Sequence, residues 1–268
     1  MTAYAPSISF PGPRLVRAEV LKLRKRRGLV VTTAVLTVGA TLILYTILAA
    51  VHASDASKHG PAGGVANLGY GMLLISLLGG VAAILAGVLA GSGDLGAGVF
   101  RELVVTGRSR RALFNARIPG GLAFVLPFVA GAYAITAVVS VVAAGSLAAP
   151  SVGLLVSSGV WMLLTIAFWY AVALGVASLL GSSTTALGIL LAFKLALAPV
   201  LVGITSLGVG REAIPGVGLD RLAPHAVQHH AVQGVVTPMS VTAAVATLVL
   251  TVVVALALGS WRTQSRDA

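Results

Sequence analysis

The chain alternates long uninterrupted apolar runs with short segments that carry nearly all of its charge. A helix needs about 20 apolar residues to cross a bilayer. Six runs are that long: 29–51, 70–91, 118–144, 152–180, 184–207 and 241–261. The third holds Pro119 near its start and Pro127 inside. Only "GSSTT" separates the fourth from the fifth, and Gly181 followed by Ser182, Ser183 and Thr184 reads as a tight turn. The pattern predicts an all-α integral membrane protein with one transmembrane domain of six helices over 1–268.

The pieces between the runs have their own patterns. In "PRLVRAEVLKLRKRRG", Pro13 suits a helix start. Leu15, Val16, Val20 and Leu23 then share one side, Arg17 and Arg24 lie opposite, and Leu21 interrupts the stripe. This predicts an N-terminal interfacial helix within 1–28, with a simple basic stop signal as the competing reading. Segment 92–117 carries five arginines. Within it Val99, Phe100, Leu103 and Val104 form an apolar side, Thr106-Gly107 ends the helix, and Ser109 can cap the next one. An apolar stripe exceeds what fixing topology requires and suggests a protein partner. Segment 208–240 is long for a bundle connection and keeps apolar residues among its glycines and prolines, which predicts short helices packed at the membrane face.

Composition narrows the class. The chain is 57% hydrophobic and 9% charged, against about 25% charged in soluble domains. Its net charge of +11 lies next to the apolar runs, so anionic lipid headgroups rather than nucleic acid are the expected partner. The basic N-terminal region leads into a run too long for a signal-peptide core, so it is read as a retained first span. Lys and Arg set the orientation. Seven precede the first run, five lie in 92–117 and two follow the last run, against Lys58, Arg211 and Arg221 in the other loops. Both termini are therefore expected in the cytoplasm. Richness in Ala, Val and Gly fits a bacterial cell membrane.

Catalytic chemistry is missing. There is no P-loop motif and no cysteine, and all seven acidic residues fall in loops or at span edges. No enzyme activity, no metal and no cofactor of its own are expected. His225 and His229 have i, i+4 spacing with His230 beside them, but no acidic or Cys ligand is near in sequence. Lys194 lies about 15 Å into the fifth run, with no carboxylate in any span to pair with it. It can line a pathway or snorkel to an interface. Trp169 and Tyr170 are deep enough to line the same route, with packing as the alternative. Gly79, Ala83, Gly87 and Gly91 recur every four residues and predict close helix packing.

These segments, in this order, resemble the membrane subunit of an ABC-2-type ABC transporter. "RAEVLKLRKRRG" is similar to the family's run before the first span. "GVFRELVVTGRSRRALFNARI" is similar to its segment between the second and third spans. "ALGVASLLGSSTTALGILLAF" is similar to its turn between the fourth and fifth. The long outer loop before the last span and the short basic C-terminus also fit.

The resemblance implies that Arg17, Glu19, Lys22 and Arg24 belong to an interfacial elbow helix. It implies that Val99, Phe100, Arg101, Glu102, Leu103 and Thr106 form a cytoplasmic coupling helix docked on a separate ATPase subunit, which would hold ATP and magnesium. It further implies a second permease copy as homodimer or heterodimer, export as the direction, and a route near Lys194. Two rivals remain: an ATP-independent carrier or channel, and a membrane-embedded immunity or structural protein.

Overall fold

The computed structural model describes residues 12–96, 98, 109–228 and 239–265. Among them there is no strand, and six helices are long and apolar enough to cross a membrane. A short helix α1 (Pro13–Lys25) precedes the first of these. The six are α2 (Arg27–Ser54), α3 (Gly64–Asp94), α4 (Arg110–Val142), α5 (Val152–Leu180), α6 (Ser183–Gly203) and α9 (Val241–Ser265). Between α6 and α9 lie a 3₁₀ segment (Thr205–Ala213) and two short helices, α7 (Val217–Arg221) and α8 (His225–Gln228).

Local chemistry sets most helix ends. Ser109, Ser151 and Ser182 accept hydrogen bonds from Ala112, Leu154 and Thr185 and so cap α4, α5 and α6. Gly181 closes α5 at φ +75°, a left-handed turn that glycine adopts without a Cβ penalty. Contacts of Lys22 and Arg117 with Asp94, and of Arg110 with Gln264, bring α1, the end of α3, the start of α4 and the end of α9 to one side of the bundle, here termed the terminal face. α4 starts at Arg110, eight residues before the apolar run begins, because the Ser109 cap lets the helix run through the arginines. α3 starts at Gly64, six residues before its run, and the backbone N–H groups of Gly63 and Val65 donate to the carbonyls of Ala143 and Ala148.

α5 is the central element. Its most extensive packing is against α3, followed by α9 and then α4. By contrast, α2, α6 and α9 leave most of their apolar surface uncovered. The α3–α5 contact is close because it is built on small residues. A Cβ at Gly87 would lie 2.6 Å from the Tyr170 carbonyl oxygen, and one at Gly91 2.7 Å from that of Leu174. Ala83 is fully buried, and Gly79 faces Ile166 and Thr37. The i, i+4 stripe of α3 therefore meets a helix of the same chain. Gly259 of α9 approaches the Gly175 backbone of α5 in the same way.

Three of the spans contain a π-helical turn: Val35–Gly39 in α2, Ile75–Gly79 in α3 and Phe193–Leu197 in α6. All three fall near the middle of their helices. Such turns displace the hydrogen-bond ladder locally and occur often at functional sites.

Candidate functional site

Two groups of residues around charged side chains are built into this apolar bundle. The first lies at the terminal face, where α3 ends in "GSGD" and α4 begins. Asp94 is 4% exposed and Arg117 1%. Arg117 donates through Nη2 to Asp94 Oδ2 at 2.8 Å and through Nη1 to the Gly91 carbonyl at 3.2 Å. Lys22 of α1 donates to both Asp94 oxygens, at 3.1 and 3.0 Å, and also pairs with Glu19.

Glycines let the backbones come together around this group. The "PGG" of α4 presents Gly120 to α1, where a Cβ would lie 2.6 Å from Glu19 Cβ, and Gly121 to the Tyr170 ring. The Tyr170 hydroxyl donates to the Arg117 carbonyl at 2.7 Å. α9 reaches the same corner. Arg110 and Arg111 donate to the Gln264 carbonyl and to its side-chain oxygen. Two carboxylates and two cations thus tie α1, α3 and α4 together. Away from water, such charges are tolerated only when paired and hydrogen-bonded.

The second group lies near the middle of the spans. Lys194, in the π-turn of α6, lies over the Trp169 ring of α5 with Nζ 4.4 Å from the centroid. Its stem crosses α3 at Gly80, where a Cβ would lie 2.7 Å from Lys194 Cε and 2.9 Å from Nζ. The six-membered ring of Trp169 meets Gly216, where a Cβ would lie 3.0 Å from ring atom Cζ2. Gly216 has φ +96°, so glycine serves both the turn and the close approach.

The connection between α6 and α9 therefore folds back between the spans. Trp161 Nε1 donates to the Leu219 carbonyl at 2.8 Å, and Gly218 packs on the Ala244 carbonyl and Leu248 of α9. Arg211 holds the upstream turn through the carbonyls of Gly208 and Val202. Pro215 lines an apolar groove of about 410 Å³ between α5 and α9.

This return places Asp220 in the field of Lys194, although no contact within 4.0 Å joins them. Burial pushes the Asp220 carboxyl up to about 6, against the opposing pull of the lysine. More than a third of its surface is open.

The expected site residues fall unevenly on these two groups. Glu19 and Lys22 join the terminal-face cluster, while Arg17 and Arg24 are exposed on α1. Lys194 and Trp169 come together. Tyr170 does not join them: it is fully buried and turned toward α4, because adjacent residues on a helix point about 100° apart. No carboxylate of a span pairs with Lys194; the one whose field reaches it among the described residues, Asp220, belongs to the connection between α6 and α9. Val99, Phe100, Arg101, Glu102, Leu103 and Thr106 lie outside the described residues, as do His229 and His230. Among the described residues, no group of His, Asp and Glu could hold a metal ion.

Asp94, Arg117, Gly80 and Asp220 did not stand out in the sequence. The one available signal was Asp94 and Arg117 at the facing ends of consecutive spans. Set against known proteins, the chain matches no family model and no curated sequence.

Proposed function

We propose that this chain is the membrane-spanning subunit of an ABC-2-type transporter, exporting an apolar or amphipathic substrate and driven by a separate ATPase. The observation that carries the reading is the buried cluster at the terminal face. Segment 97–108 joins α3 to α4, and the two roots of that segment are bonded to each other through Asp94 and Arg117 and to α1 through Lys22. A partner pushing on the segment would move the inner ends of two spans together instead of flexing a loose loop. In this reading the segment is the coupling helix and the terminal face is cytoplasmic.

ATP binding would close two ATPase subunits, and each coupling helix would carry that motion into its bundle. Coupling requires only that ATP bind one bundle state better than the other. The uncovered faces of α2 and α6 leave room for a second copy, with the route between the two. Catalysis of hydrolysis would belong to the partner, which would hold the ATP and magnesium.

The test is co-purification in mild detergent from native membranes. A P-loop ATPase should accompany the wild-type chain, and Leu103→Glu should lose it while the membrane domain stays folded. A chain that always purifies alone, or an ATPase retained fully by Leu103→Glu, would overturn the reading.

One observation favours a second reading, an ATP-independent carrier. Lys194 is a charge at mid-span reached by the field of Asp220, and ion-coupled carriers use charged groups at that depth. Gradient-driven uptake by the chain alone in liposomes would support it.

A further inference from the structure

The Lys194 ammonium has three N–H donors and no hydrogen-bond or ion-pair partner among the described residues. Its neighbours are a ring face, a glycine slot and the distant field of Asp220. The side chain does not snorkel along α6 toward an end. It crosses sideways to α3 and α5, where Gly80 leaves just enough room for its stem. A purely structural role does not account for this, since an apolar side chain would pack on Trp169 without bringing a charge to mid-span. The ring face satisfies the ammonium from one direction only. The remaining donors are complementary to an oxyanion.

The surroundings narrow what carries that oxyanion. Ile189, Leu195, Leu197 and Val200 of α6 all expose large apolar side chains near Lys194 in sequence. A ligand reaching the ammonium by this helix must therefore have an apolar body. Among the described residues, Asp220 is the one carboxylate whose field reaches Lys194, and it belongs to the folded-back connection rather than to a span.

We propose that Lys194 binds the phosphate or carboxylate of an amphipathic molecule, with Trp169 as its platform, and that Asp220, on the connection that packs on Trp169 through Gly216, is a competing negative charge. As an assignment of substrate class this rests on the transporter reading; as a binding site it needs no ATPase.

The test uses the full-length chain in phosphatidylcholine nanodiscs and reads tryptophan quenching. Brominated phosphatidylglycerol is compared with brominated phosphatidylcholine of the same chains. The part of the signal lost in Trp169→Phe is assigned to Trp169. That part should be quenched by the anionic lipid at several-fold lower mole fraction than by the zwitterionic one. Lys194→Gln should abolish the preference, Lys194→Arg should keep it, and Asp220→Asn should strengthen it.

Inorganic phosphate is the second arm. If it relieves the quenching, the site takes a free oxyanion. If it does not, the oxyanion must arrive on a lipid-like body. Equal quenching by the two lipids, or a preference that survives Lys194→Gln, would overturn the proposal. Either result leaves the co-purification experiment untouched, so this inference and the transporter reading fail separately.

Discussion

Replacing Asp94 by alanine is the sharpest test of what holds the terminal face together. Asp94 accepts from Arg117 at 2.8 Å and from Lys22 at 3.0 and 3.1 Å, and it is 4% exposed. Lys22 is 26% exposed and already pairs with Glu19, so it can adapt. Arg117 cannot. Its side chain is 2% exposed, and its Nε is buried without a partner even in the intact protein. Removing Asp94 leaves a buried guanidinium with only the Gly91 carbonyl as acceptor.

Breaking a buried pair from one side costs about 3–5 kcal/mol. For a chain of this size that corresponds to a fall in the unfolding midpoint on the order of 10 °C. Scanning fluorimetry of the full chain in nanodiscs reads this directly. Asp94→Leu combined with Arg117→Met should recover most of the loss, because an apolar pair of similar volume removes the stranded charge. Lys58→Ala, at the exposed Asp55–Lys58 pair, should leave the midpoint where it was. An Asp94→Ala midpoint within two or so degrees of wild type would refute the argument that the cluster is a buried structural tie.

The other predictions concern the α3 surface and Asp220. Gly87→Val puts side-chain atoms against the Tyr170 carbonyl in the close α3–α5 contact, so it should destabilise by about 1–3 kcal/mol or more in the same melt. Gly80→Val should push Lys194 off Trp169 and abolish the anionic-lipid preference while the protein still elutes as a folded species. The Asp220 carboxyl, raised to about 6, holds its proton more tightly folded than unfolded. Its contribution to stability is therefore full below pH 4 and lost as pH rises through 6. Quenching by the anionic lipid should strengthen as pH falls from 7.5 to 5, where Asp220 no longer competes for Lys194, and Asp220→Asn should flatten that dependence.

The six spans were legible because a membrane helix satisfies its backbone within itself, so a run of apolar residues suffices to announce it. Capping was legible for the same local reason: Ser109 sits one residue before the helix it caps. The bounds shifted where something non-local intervened, as at Gly64, where the backbone of the 143–148 loop supplies partners.

Sequence alone determined the all-α class of this protein, its six helices long and apolar enough to cross a membrane and the small-residue face of α3, because each depends on residues within a turn or two of one another. Tertiary structure alone decided which helix that face meets, and that Asp94 and Arg117 share a buried corner with α1. It also decided that a connection read as an outer loop returns to the middle of the bundle. Lys194 owes its surroundings to α3, α5 and the α7 segment at once. Such a site has no period and no spacing along the chain, since it exists only where helices distant in sequence leave a glycine-wide gap between them.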